Sequence, residues 1–175
     1  MLDNVKKIWK KSLTKVQMID YIMSMDEHFW IRNNQYINLN MLEFLERLPM
    51  RVLHKVFYLD STIFVQSTGR FACSVTNMHQ NAILVFPELF EHLTKINDSW
   101  AKAVLAHEVA HIYLDHKNSN DIMETQVDAD EFACEMGYLD QIEEFLHDQP
   151  ESVEKRVRLT FITNYYFAKN DPEFN

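Results

Sequence analysis

The residues that most directly predict a chemical function are His107 and His111, two histidines four positions apart in an HExxH motif. Residues i and i+4 of a helix lie on one face, so both imidazoles can reach a single metal ion. Neutral imidazole is a good Zn²⁺ ligand, and three protein ligands leave a fourth position for water. Glu108 is then the candidate general base that takes the proton of that water. The HExxH motif therefore predicts a zinc centre that hydrolyses a polarised carbonyl.

A third ligand is required, and the residues directly after the motif do not supply it. The extended motif that ends in a third histidine needs Gly and His where Leu114 and Lys117 stand. A second helix is predicted over residues 122–137, with Gln126 and Asp130 on its apolar, inward side. The carboxylates of the opposite sector, which we expect to face solvent, are Glu124, Asp128, Glu131 and Glu135.

The two predicted helices together resemble the M48 family of zinc metallopeptidases, the Ste24 and HtpX type. The resemblance runs from about residue 81 to residue 159. In that family HExxH is followed on the next helix by ExxAD, whose Glu binds zinc and whose Asp braces a motif histidine. Gln126 stands here at the ligand position and Asp130 at the bracing position. The resemblance implies Zn²⁺ bound by His107, His111 and the residue at position 126, and a peptide or protein substrate.

Glutamine in place of glutamate leaves the metal site open to three interpretations. Gln126 coordinates through its amide oxygen, Glu124 or Asp128 takes its place, or the site is degenerate and binds metal poorly. The predicted function is a zinc-dependent metallopeptidase with Glu108 as general base. The alternative is a non-catalytic or weakly metal-binding relative that binds a peptide or a regulatory partner. A third possibility is a regulatory protein that cleaves a repressor. It would use the same zinc-dependent peptide hydrolysis as the predicted metallopeptidase and differ from it only in substrate.

Two more segments are similar to M48 proteins and predict substrate contacts. Residues 82–86 resemble the edge strand that holds an extended peptide by backbone hydrogen bonds, which would make Leu84, Val85 and Phe86 substrate-binding residues. An ordinary core strand is the other interpretation of this run. Arg156, which follows Pro150 near the start of the last predicted helix, is similar to the substrate-binding arginine of the family.

The remaining pattern predicts a single α+β domain over residues 1–175, a mostly helical zincin-like fold with a three- to four-stranded sheet packed on the HExxH helix. Its expected parts are a helical segment (1–35), a small sheet (50–90) and a helical part (99–168). The HExxH helix is predicted over residues 99–116, which turns His116 away from His107. The predicted strands are residues 52–59, 62–66, 71–76 and 82–86.

Charge and hydropathy predict which partners and which cellular location the protein has. A net charge of −9 argues against a nucleic-acid partner, because neutralising phosphates requires surplus Lys and Arg. No apolar run of membrane-spanning length and no signal peptide are found, so we expect a cytoplasmic protein. Residues 2–16 form a basic amphipathic stripe that we expect to pack on the domain itself. Docking on an anionic membrane or a partner is the alternative for this stripe.

Overall fold

The computed structural model describes residues 13–67, 72–75 and 80–170. Its elements form a mostly helical α+β fold, as the sequence predicts. The first helices are α1 (Lys15–Ser24), α2 (Phe29–Arg32), α3 (Gln35–Arg47) and α4 (Met50–Leu53), which continues as a π-helix (His54–Leu59). The strands are β1 (Ile63–Gln66), β2 (Ala72–Val75) and β3 (Ala82–Val85). The later helices are α5 (Pro87–Leu93), α6 (Ser99–Tyr113), α7 (Ile122–Glu135), α8 (Leu139–His147) and α9 (Val153–Asn170).

The described strands form a three-stranded sheet in the order β1-β3-β2. β3 pairs in parallel with β1 and antiparallel with β2, so that Leu84 lies opposite both Val65 and Cys73. The expectation that residues 82–86 form an edge strand is therefore wrong. Because β3 has strands on both sides, Leu84 and Val85 have no free backbone edge to offer a peptide, and Phe86 already lies at the start of α5.

Among the described strands, β1 forms one edge of the sheet, and the buried His28 and the half-buried Trp30 cover it. The backbone N–H of Phe64 donates to Nε2 of His28 at 2.9 Å, and Nε1–H of Trp30 donates to the Phe64 carbonyl at 3.3 Å. An uncovered strand edge invites pairing with another chain, and these two contacts remove that possibility at Phe64. Among the described strands, β2 forms the other edge and packs against α6, so the sheet lies on the HExxH helix as predicted.

The segment 52–59 is helical and not the predicted strand. Its buried residues Val52, Leu53, Val56 and Phe57 recur at the spacing of one helix face, and all four side chains are fully buried. Their β-branched and aromatic character favours a strand, but burial of a helical stripe against the core outweighs that local preference. The sheet consequently begins at residue 63, and the predicted sheet region 50–90 starts with helix.

α6 is buried on almost all sides. Asp98 caps its first turn by accepting a hydrogen bond from the N–H of Ala101 at 2.9 Å. Its buried residues extend from Trp100 to Ile112 and include the polar His107. The helix ends at Tyr113, since Asp115 adopts the left-handed conformation with φ +61°. The chain after it therefore does not continue the helix to residue 116.

α7 has well-formed ends and packs more extensively against α6 than any other described pair of helices. Asp121 accepts from the N–H of Glu124 at 3.0 Å at its start. At its end the N–H of Gly137 donates to the Cys134 carbonyl, and the N–H of Tyr138 donates to the Ala133 carbonyl. These are the two bonds of a Schellman motif, which requires the positive φ of +84° that Gly137 adopts. α9 then packs across α7 and α8.

The described N-terminal residues begin with a capped helix. Thr14 and Gln17 form a reciprocal capping box at the start of α1, so the helix begins at Lys15. Most of the predicted amphipathic stripe, residues 2–12, lies outside the described residues. Within the described ranges, none of the helices combines the length and apolar character needed to cross a bilayer.

Candidate metal centre

The two motif histidines face each other on α6. Nε2 of His107 lies 3.1 Å from Nε2 of His111, and the two rings meet edge to face with centroids 4.8 Å apart. This contact follows from their helical spacing, since residues four apart stand one above the other. Each ring nevertheless needs a partner at Nδ1 to determine which nitrogen carries the proton.

Asp130 on α7 supplies that partner for His107. Nδ1–H of His107 donates to Oδ1 of Asp130 at 2.9 Å, which places the proton on Nδ1 and leaves the lone pair on Nε2. Arg158 on α9 holds the same carboxylate through Nε to Oδ2 at 2.7 Å and Nη2 to Oδ1 at 2.8 Å. Burial alone would raise the pKa of Asp130, but the hydrogen bonds from His107 and Arg158 outweigh it and hold that pKa below its ordinary value.

His116 supplies the contact for His111, which corrects the expectation that it points away from the motif. Because Asp115 ends the helix in the left-handed conformation, the chain turns back and brings Nδ1 of His116 to 2.8 Å from Nδ1 of His111. Nε2 of His116 lies 3.7 Å from Oδ2 of Asp128 on α7. Burial, reinforced by the neighbouring His107 and His116, lowers the pKa of His111 to about 3. The ring of His111 is therefore neutral at physiological pH.

The donor geometry fits a tetrahedral metal ion. Two imidazole nitrogens at the usual Zn–N distance are about 3.3 Å apart in a tetrahedral site. The Nε2 atoms of His107 and His111 are 3.1 Å apart, and the Nδ1 atoms of both rings point to other partners. Among the described side chains, no three from His, Cys, Asp and Glu are grouped closely enough to hold a metal. Of these four residue types, the described chain therefore offers the two imidazoles of His107 and His111.

The other predicted site residues are placed as follows. Glu108 is half-buried on α6, and Gln126 is half-buried on α7 one helical turn before Asp130. Glu124 is exposed, and the side chain of Asp128 is 46% exposed while it faces His116. Arg156 on α9 is exposed and is not brought to the histidine pair.

Arg158 and His116 are the functional candidates that sequence reasoning missed. For Arg158 a signal was available, because it lies one helical turn before the buried Ile162 and so shares the inward face of α9. For His116 the only signal is the polar run that begins at Asp115, which marks the end of a helix. That run predicts a loop but not the direction in which the loop turns.

A cavity of about 250 Å³ opens beside the histidine pair. Its lining residues come from the π-helix, the start of β3 and the end of α6, and they are Lys55, Asp60, Asn81, His111, Ile112, Asp115 and Lys117. His111 is the residue that this cavity shares with the candidate metal centre. A molecule in the cavity would therefore contact the imidazole pair from one side.

Residues 71–163 match peptidase family M48. No curated protein and no solved structure matches the chain. The matched residues contain the histidine pair, Asp130 and Arg158, and they make up more than half of the chain. The protein therefore belongs to peptidase family M48.

Proposed function

We propose that this protein is a zinc-dependent metallopeptidase whose metal is held by His107 and His111. The observation that supports the proposal most directly is the pair of Nε2 atoms 3.1 Å apart, with both Nδ1 atoms engaged elsewhere. A cation bound by both Nε2 atoms would take up both of their lone pairs at this spacing. The family membership supports peptide-bond hydrolysis as the reaction.

Each residue of the site has a role in this proposal. Zinc, when bound, acts as a Lewis acid that polarises the scissile carbonyl and makes a water molecule more acidic. Glu108 accepts the proton of that water during attack and returns it to the leaving amine. Asp130 keeps the His107 proton on Nδ1, and Arg158 keeps the Asp130 carboxylate ionised and oriented.

We assign the third protein ligand to Gln126, through its amide oxygen. It precedes Asp130 by one helical turn, so the two side chains leave α7 on the same face, and Asp130 already contacts His107. The two carboxylates considered from the sequence are less suitable. Glu124 is exposed, and Asp128 faces His116.

The substrate in this proposal is an extended peptide that passes beside α6. The middle position of β3 excludes it as the peptide-binding strand, whereas β2 is an edge strand that packs against α6. A peptide added along β2 would use the backbone hydrogen bonds originally expected of β3. One of its side chains would enter the cavity beside His111.

Metal content and activity test the proposal together. The wild-type protein, loaded with zinc and desalted, should retain about one zinc per chain by mass-spectrometric metal analysis and should cleave an unfolded protein substrate. Glu108→Gln should keep the zinc but lose activity by about 10²- to 10⁴-fold, because it removes only the proton acceptor. His107→Ala should lose both. A wild-type protein that retains no zinc, or a fully active Glu108→Gln variant, would contradict the proposal.

The glutamine at position 126 supports a second candidate function, a peptide-binding relative without catalytic activity. An amide oxygen is a weaker zinc ligand than a carboxylate. Gln126→Glu separates the two functions. A large gain in zinc affinity together with the appearance of peptidase activity would favour the non-catalytic function for the native chain. Activity that is unchanged or reduced by Gln126→Glu would show that the native site works with glutamine.

A further inference from the structure

The buried ring of His116 is a further polar group beside the site, and neither the motif nor the family match gives it a role. Its side chain is 9% exposed, and its ring lies edge to face with that of His111 at a centroid distance of 4.9 Å. Its Nε2 atom is buried and makes no hydrogen bond among the described residues. A buried polar ring whose two nitrogens face another imidazole and a carboxylate requires an explanation.

With a metal on Nε2 of His111, the contacts of the His116 ring fit one arrangement of protons. Oδ2 of Asp128 lies 3.7 Å from Nε2 of His116, and a carboxylate next to a ring nitrogen favours a proton on that nitrogen. A neutral His116 with its proton on Nε2 has a lone pair on Nδ1. That lone pair can only accept, so His111 must donate its Nδ1–H across the 2.8 Å contact. The lone pair of His111 is then on Nε2, facing His107.

We propose that His116 and Asp128 are positioning residues that keep Nε2 of His111 free to bind the metal. In this arrangement His116 and Asp130 have the same role, since each accepts a hydrogen bond from the Nδ1–H of one motif histidine. The opposite arrangement would put a proton on Nε2 of His111, where it donates to Nε2 of His107 across the 3.1 Å contact and blocks metal binding. It would also place a lone pair of His116 against the Asp128 carboxylate. This inference rests on the proposed zinc site and extends it to residues beyond the HExxH motif.

Two substitutions of equal size at position 116 test the role. His116→Asn keeps an acceptor near the position of Nδ1, because the Asn amide oxygen occupies nearly the same place as that atom. His116→Leu has the shape of His116→Asn without the acceptor. The measurement is the zinc dissociation constant, obtained by competition with a chromophoric chelator. We expect His116→Leu to bind zinc about 10- to 100-fold more weakly than wild type, and His116→Asn to remain within about threefold of wild type.

The metal-free protein provides a second measurement that does not depend on activity. Ring ¹⁵N chemical shifts of His111 distinguish a protonated from an unprotonated Nε2. Wild type and His116→Asn should show the proton on Nδ1, whereas His116→Leu should lose this preference. Equal zinc affinity in His116→Leu and wild type would overturn the inference. The inference would also be overturned if His116→Asn and His116→Leu bound zinc equally weakly, because the loss of affinity would then come from altered packing.

Asp128→Ala tests the same role if His116→Leu does not fold. Asp128 is partly exposed on α7, so its removal should leave the fold intact. Zinc affinity should fall in the same direction as for His116→Leu but by less, and an unchanged affinity would contradict the role of Asp128. Failure of the wild-type protein to bind zinc would instead contradict the proposed function. The two failures are therefore distinguishable.

Discussion

Within residues 13–67, 72–75 and 80–170, histidine rings are buried or half-buried at the edge of β1 and on α6, and their nitrogens face different partners. At the edge of β1, His28 donates from Nδ1 to the Ile22 carbonyl at 2.6 Å and accepts at Nε2 from the Phe64 N–H at 2.9 Å. Both nitrogens are satisfied by backbone groups. On α6, His107 and His111 use Nδ1 for a side-chain partner and direct Nε2 toward each other.

This difference separates a structural histidine from the pair that we propose to bind metal. The His28 ring joins α1 to β1 and has no nitrogen left for a ligand. The motif pair has two nitrogens left, and both point to the same place. Burial alone therefore does not identify a functional histidine. The direction of the unused lone pair does, and it depends on which group holds the other nitrogen.

Loss of Arg158 should have the largest effect on stability, because the motif region depends on a buried ion pair. Arg158→Leu leaves the fully buried Asp130 carboxylate without its cation, and we expect the free energy of unfolding to fall by about 3–5 kcal/mol. Urea unfolding of the metal-free proteins measures this free energy. Arg156→Leu, an exposed neighbour on the same helix, is the control and should change stability by less than about 0.5 kcal/mol. Equal effects of the two variants would contradict the role of the buried pair.

Loss of His28 should destabilise the protein and leave the proposed metal site unchanged. His28→Leu leaves the buried Phe64 N–H without its partner and removes the His28 hydrogen bond to the Ile22 carbonyl, which keeps only the N–H of Met25. We therefore expect the free energy of unfolding to fall by about 1–3 kcal/mol. The zinc affinity of the folded variant should stay at the wild-type value. His147→Leu, at an exposed position, serves as control. A lower zinc affinity in His28→Leu than in wild type would contradict a purely structural role of His28.

The smallest effect expected here is a dependence of stability on pH that comes from His28. Burial lowers the pKa of His28 below 6.5, so between pH 6.5 and that lower value the unfolded chain binds a proton that the folded chain does not. Stability from this residue is complete above pH 7 and is lost as the pH falls, by at most about 1.4 kcal/mol per pH unit.

Urea unfolding of the metal-free protein at pH 7.5 and pH 5.5 measures this dependence. The loss of stability on acidification should be smaller in His28→Gln than in wild type, because glutamine does not titrate. Other histidines contribute equally to both proteins. Identical losses in the two proteins would show that His28 is not responsible.

Much of the fold was predictable from local patterns. The apolar patterns of residues 99–116 and 122–137 predicted both helices, and the structure ends the first at Tyr113 and the second at Glu135. The segment 52–59 was mistaken for a strand because its residue types favour strands, whereas its spacing of buried residues is helical. The order of the strands was not readable from the sequence, since pairing between segments depends on contacts between distant residues.

The sequence by itself determined the pairing of His107 with His111 and the inward direction of Asp130, because helical geometry fixes which residues of one element share a face. Only the tertiary structure decided the rest of the site. It brought Arg158 from α9 to Asp130, turned His116 back to His111 at the left-handed Asp115, and placed β3 in the middle of the sheet. Such contacts join separate elements, and their geometry depends on how the core packs and where a turn reverses the chain. No local spacing encodes either of these.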